Sequence, residues 1–146
     1  MQDFPHHYVV NASNNGDMRV QITASGLSDI ESSPPAEFGG PGDRWSPETL
    51  LMAAAADCFI LTFKAIARAS SLEWQDIQVE AVGTLERVER ITRFTRIEQK
   101  VRLTISDPAL KERAASLLEK SEHNCLVSNS LNAEKVLTAE VVAIPA

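Results

Sequence analysis

Apolar and polar residues alternate along Arg19-Val20-Gln21-Ile22-Thr23, with the turn signal Asn14-Asn15-Gly16-Asp17 before this stretch and Ser25-Gly26 after it. Residues 8–30 therefore read as short strands of antiparallel hairpin type. Residues 32–46 hold Pro34, Pro35, Gly39, Gly40, Pro41 and Gly42, too many breakers for a regular element. The breakers stop at a helix start: Ser46 suits the N-cap, Pro47 the first helical position, and Glu48 the positive helix end.

The helix predicted over about 47–70 is apolar on almost every face, through Leu50-Leu51-Met52-Ala53-Ala54-Ala55-Ala56 and Phe59-Ile60-Leu61. Asp57, Lys64 and Arg68 interrupt it too soon for a membrane span of about 20 apolar residues. It reads instead as a central, buried helix, and a helix apolar all round needs cover on all sides. One small domain cannot supply that alone, which points to a dimer.

Strand alternation returns at Ile77, Val79 and Ala81 and again at Val101, Leu103 and Ile105, with the charged stretch 86–90 as the solvated end of a hairpin. Asp107-Pro108 repeats the cap-then-proline start, and Leu110, Ala114, Leu117 and Leu118 make the stripe of a second helix ending near Ser121. A last strand over about 135–144 follows. The expectation is one α+β domain spanning 1–146, without repeats or linkers.

At 146 residues the chain can bury a core without disulfide or metal staples. Its 14 Lys+Arg against 20 Asp+Glu leave a net charge of −6, which disfavours a nucleic-acid partner. The first residues, Met1-Gln2-Asp3-Phe4-Pro5-His6-His7, have neither a basic start nor an apolar run, so the cytoplasm is the expected location. Thiols are normally reduced there, so a pair that oxidises would be catalytic or sensory.

Only two cysteines occur, Cys58 and Cys125, with no CxxC spacing. On an ideal helix Cys58 shares its face with Leu51, Ala54, Leu61 and Ala65. Such surroundings raise a thiol pKa, and alone they describe an inert core cysteine. A nearby cation would change that, and Arg44 at the helix mouth and Arg19 in an early strand are the candidates. Glu48 lies ten residues before Cys58, about 15 Å along one helix axis, so the two side chains of one helix cannot meet. Cys125 follows the second helix in the polar run Glu122-His123-Asn124-Cys125. His123 has no second metal ligand at a recognisable spacing.

The segments Gly39-Gly40-Pro41-Gly42, Ser46-Pro47-Glu48-Thr49-Leu50 and Ala55-Ala56-Asp57-Cys58-Phe59 resemble the "GGPG…NPE.L…A..aCF" block of the organic hydroperoxide resistance and osmotically inducible (Ohr/OsmC) family. His123-Asn124-Cys125-Leu126-Val127-Ser128-Asn129 resembles its "H..CPYSN" block. The resemblance covers nearly the whole chain. It implies an intertwined homodimer in which curved antiparallel sheets wrap two long central helices, and a thiol peroxidase without metal or organic cofactor. Cys58 would attack an organic hydroperoxide, Cys125 would resolve the sulfenate as a disulfide, and a small dithiol or lipoyl-type reductant would reset the pair. Glu48 would hold an arginine that stabilises the thiolate. The organic-hydroperoxide branch carries that arginine in a "GGRDG" turn, which here reads Ser13-Asn14-Asn15-Gly16-Asp17, so Arg44 is the expected substitute and Arg19 the second choice. Leu126-Val127 replaces Pro-Tyr after the second cysteine, as in a less typical subgroup. A passive module holding a lipid-like ligand and a redox sensor are the alternative readings.

Overall fold

The computed structural model describes residues 1–145, which gather into two compact units that divide between residues 51 and 52. In the first unit, strands β1 (Asn11–Ser13), β2 (Val20–Thr23) and β3 (Ile30–Ser32) form an antiparallel sheet in that order. Asn14 closes the β1–β2 turn: its amide nitrogen donates to the carbonyls of Asp17 and Arg19, both at 2.7 Å. The loop after β3 makes one 3-10 turn, Ala36–Phe38, ended by Gly39 at φ 80°. Gly40 then passes so close to Pro34 that a Cβ on it would lie 1.8 Å from the Pro34 carbonyl oxygen.

Helix α1 (Pro47–Ala69) begins in the first unit and continues through the second. Its start follows the expected cap. The Thr49 N–H donates to Ser46 Oγ at 3.2 Å, and the Ser46 N–H donates to Thr49 Oγ1 at 2.8 Å, a reciprocal closure of two free helix donors.

The second unit carries the hairpin β4 (Asp76–Val88) and β5 (Ile91–Ile105). Its turn is Glu89-Arg90, both at positive φ, and residues 86–88 beside it are exposed, so the charged stretch is the solvated hairpin end, as expected. The 3-10 turn Pro108–Leu110 follows, then α2 (Lys111–Asn124), the short α3 (Leu126–Asn129) and β6 (Glu134–Ala143). The Asp107 carboxylate caps this start by accepting the Ala109 N–H at 2.9 Å. The expected antiparallel pairing holds for β1–β2–β3 and for β4–β5. However, β6 joins β5 in parallel, because α2 and α3 lie between the two strands in sequence and return the chain to the same end of the sheet.

Val101, Leu103 and Ile105 on one face of β5 pack with Phe59, Phe63 and Ala67 of α1 and with Ala114 and Leu118 of α2. Phe63 also meets Trp74 edge-on at 5.6 Å between ring centres. Fully buried side chains of this size contribute about 1.5–3 kcal/mol each, so this face holds the unit together. Only Ala55, Phe59, Phe63 and Ala67 of α1 are buried, and Ala54, Leu61 and Ala65 are exposed. The helix expected to be covered on all sides is thus covered on one side within a single chain. By length and composition α1 could cross a membrane, but its aromatic face is spent on β5.

Candidate active site

α2 ends at Asn124, and Cys125 leaves the helix in an extended conformation, φ −68° and ψ 105°. α3 restarts at once: the Asn129 N–H donates to the Cys125 carbonyl at 2.9 Å, while the Asn129 side chain donates to the His123 carbonyl at 2.9 Å. The break thereby turns Cys125 inward. It is fully buried, with its sulfur 4.0 Å from the carbonyl oxygen of Ala55 on α1.

Cys58 lies three residues beyond Ala55 on the same helix. It is half-buried, with its sulfur 3.9 Å from Thr62 Oγ1, one helical turn away. Neither cysteine is in a disulfide, and the Cys58 thiol is near enough to Cys125 to influence its ionisation. Burial pushes the Cys125 pKa up. Ser128 beside it draws it back in part, although the Ser128 hydroxyl is buried without a hydrogen-bond partner among the described residues, and the neighbouring Cys58 adds to the rise. Cys58 and Cys125, far apart in sequence, are therefore brought together.

Thr62 and Ser128 were not singled out in the sequence. Their spacings, four residues after Cys58 and three after Cys125, are the local signals that mark them. Just before the break, Glu122 has both carboxylate oxygens buried without a hydrogen-bond partner among the described residues. Burial raises its pKa, against the opposing pull of His123 and Lys135.

The remaining candidates sit in the first unit. Arg44 is paired: its Nε lies 3.3 Å from Glu31 Oε2 and its Nη1 3.2 Å from Asp43 Oδ2. Glu48 is half-buried at the start of α1 and has no hydrogen bond or ion pair among the described residues, so the expected Arg44–Glu48 contact is not made. Arg19 gives its N–H to Asp17 Oδ1 at 2.8 Å, and its side chain lines a cavity with Asp17, Gln21 and Glu31. A separate cavity of about 440 Å³ has Met18, Val20, Pro34, Pro35 and Phe38 in its walls and Glu48 at its edge. Sequence reasoning did not find this cavity, because its walls come from four separate short segments.

The family model described as OsmC-like protein matches residues 40–140, a stretch that runs through both units. The Bacillus subtilis protein YmaD, itself uncharacterized, is 30% identical over 142 residues, covering 93% of this chain and 95% of that protein. Among solved structures, an OsmC-like protein of unknown function from Vibrio cholerae superposes with a TM-score of 0.82 at 18% identity, over 94% of this chain and 100% of that one. An organic hydroperoxide resistance protein from Legionella pneumophila gives 0.76 at 20%, over 97% and 100%. The organic hydroperoxide resistance protein OhrB of Bacillus subtilis gives 0.69 at 22%, over 93% and 98%. These likenesses show the expected α+β fold over 93–97% of the chain, and the matched model with the YmaD identity fixes the lineage: the chain belongs to the OsmC-like protein family.

Proposed function

We propose that the protein is a thiol-dependent peroxidase that reduces organic hydroperoxides, with Cys58 as the attacking thiol and Cys125 as the resolving one. The observation that carries this reading is the contrast between two neighbouring thiols: Cys58 is partly open, whereas Cys125 is sealed and has its pKa raised. A peroxide reaches the open sulfur. The sealed thiol stays protonated and waits for a sulfenate to form beside it.

The Cys58 thiolate attacks the terminal peroxide oxygen, the O–O bond breaks, and the alkoxide takes a proton to leave as an alcohol. Cys58 is then a sulfenic acid. The Cys125 sulfur attacks it, water leaves with the Cys125 proton, and a Cys58–Cys125 disulfide remains. A small dithiol or lipoyl-type reductant is oxidised in returning both thiols.

Arg44 supplies the cation for the thiolate, with Glu48 to hold it. It must first release Glu31 and Asp43, and surface pairs of this kind hold by only about 0–1 kcal/mol. The exposed apolar side of α1 is covered by a second copy, making a homodimer, and the protein works in the cytoplasm.

Mass spectrometry after one equivalent of cumene hydroperoxide tests the reading. The chain is expected to lose two hydrogens, and either Cys58→Ser or Cys125→Ser blocks the loss. Undiminished turnover in Cys58→Ser with dihydrolipoamide as donor rules the mechanism out.

A further inference from the structure

Of the residues that β5 buries on its inner face, Ile97, Gln99, Val101, Leu103 and Ile105, only Gln99 is polar. It is 0% exposed, and neither its amide nitrogen nor its amide oxygen has a hydrogen-bond partner among the described residues. Its paired neighbours, Ala81 of β4 and Leu137 of β6, carry no polar side-chain atom that could serve it. An amide sealed off in this way costs folding free energy that an apolar side chain of the same volume would not. The sheet gains nothing from a glutamine at this position.

α1 crosses this face with its start at the Ile97 end. The Met52 sulfur would meet a Cβ on Gly83 at 2.6 Å, and Gly83 pairs with Ile97. At the far end the Ala67 carbonyl accepts the Leu72 N–H, and the Gln75 N–H donates to the Thr104 carbonyl. Ala55 lies about 4.5 Å beyond Met52 along the helix, and Gln99 about 6.6 Å beyond Ile97 along the strand, so the two share one layer. The Cys125 sulfur, fully buried and 4.0 Å from the Ala55 carbonyl oxygen, lies in that layer too.

A thiolate forming at Cys125 finds no cation of its own among the described residues. Cys58 on α1 and Ser128 on α3 are the groups that act on it, and Glu122 in the last turn of α2 is answered by His123 and Lys135. Arg44, in the proposed mechanism, serves Cys58. An uncharged N–H donor can take the place of a cation, because a hydrogen bond to the ionised sulfur stabilises it. A protonated thiol is only a weak acceptor, so such a donor stays free until the thiolate exists.

We propose that Gln99 is the hydrogen-bond donor of the resolving step: its amide N–H turns onto the Cys125 sulfur as that thiol ionises and holds the thiolate while it attacks the Cys58 sulfenic acid. No proton passes to Gln99. The S–O bond of the sulfenic acid breaks as the S–S bond forms, and the hydroxyl leaves as water with the proton that Cys125 gave up. The step itself rests on the peroxidase reading, whereas the hydrogen bond to Cys125 does not.

Two measurements on the full chain test this. In Cys58→Ser the one remaining thiol is Cys125, and its ultraviolet thiolate absorbance titrates it without any peroxide. Gln99→Met, an apolar side chain of similar length, is expected to move that titration about one pH unit alkaline and to raise the midpoint of denaturant unfolding. With Cys58 in place and one equivalent of cumene hydroperoxide, Gln99→Met is expected to form the sulfenate at the parent's rate and to close the disulfide about ten-fold more slowly at pH 7.5. A glutamine with a purely structural role would not give this gain of stability together with loss of closure. An unmoved Cys125 titration, closure at the parent's rate, or a Gln99→Met chain less stable than the parent overturns the inference. A parent that forms no sulfenate, while the Cys125 titration still moves with Gln99→Met, removes the peroxidase reading and keeps the hydrogen bond.

Discussion

The sulfur of Cys125 lies 4.0 Å from the carbonyl oxygen of Ala55, one turn before Cys58 on the same helix. On the proposed mechanism, formation of a disulfide is a local event between α1 and the α2–α3 break. Its rate is governed by how readily Cys125 gives up its proton. Burial and Cys58 hold that pKa above the ordinary thiol value, and Ser128 opposes them. Disulfide closure after a single peroxide equivalent is expected to accelerate with rising pH through and beyond the ordinary thiol range, about ten-fold per unit while the thiol is mostly protonated. Ser128→Ala is expected to move the profile further alkaline without altering the rate of sulfenate formation. Stopped-flow decay of the sulfenate from pH 6 to 10 measures both, and an unmoved profile in Ser128→Ala excludes the role given to Ser128.

Glu122 presents a second pH dependence, this time of stability. Its carboxyl is favoured in the protonated form in the folded chain, chiefly through burial. Stability is therefore greatest below the ordinary carboxyl range and declines as pH rises through that range to the raised folded value. Glu122→Gln removes the decline. At pH 7.5 the variant is expected to melt about 2–4 °C higher, the shift that about 1 kcal/mol produces in a chain of this size, and at pH 4 to match the parent. A lower melting temperature at pH 7.5 would mean that the attraction of Lys135 outweighs burial.

Gly40 has no room for a side chain, since a Cβ would lie 1.8 Å from the Pro34 carbonyl oxygen and 3.0 Å from the Pro34 Cβ. Backbone cannot yield as a flexible side chain would. Gly40→Ala is expected to cost about 1–3 kcal/mol and to disturb the Pro34-Pro35-Phe38 wall of the cavity. Denaturant unfolding reads the first effect, and a change in the tryptic cleavage pattern of the first unit reads the second.

Leu61 is 56% exposed on α1, on the side away from the buried Phe59 and Phe63. If a second copy covers this side, Leu61→Glu places a charge in an apolar interface, which is strongly unfavourable when unpaired. Light scattering during size exclusion is expected to give a dimer for the parent and at least a ten-fold weaker association for the variant. A variant that remains dimeric at the parent's affinity places the interface elsewhere.

Much of this was legible where local chemistry decides structure. Ser46-Pro47 and Asp107-Pro108 mark helix starts because the cap and the fixed proline angle act within a few residues, and both serine and aspartate make the expected bonds. The strand pair β4–β5 follows from its alternation. Less was legible where partners are distant. α3 has four residues, too few for a periodic pattern, and the parallel docking of β6 follows from a connection and not from its own residues. Arg44 has a carboxylate at Glu31 as well as at its neighbour Asp43, and nothing local distinguishes Glu31 from Glu48 as its partner. Cys58 and Cys125 were joined by family resemblance alone, since apolar helix residues and a polar loop give no reason for two thiols to meet.

The parallel ladder between β5 and β6 also orders events on the ribosome. The β4–β5 hairpin can close once Ile105 has emerged, because its two halves are adjacent in the chain. The ladder of β6 on β5 runs as far as Ala143, and α2 packs against that strand. A nascent chain therefore carries α2, with Cys125 at its end, before the strand that α2 rests on exists. For that interval α2, with Cys125 at its end, lacks one of the surfaces against which the finished fold packs the helix.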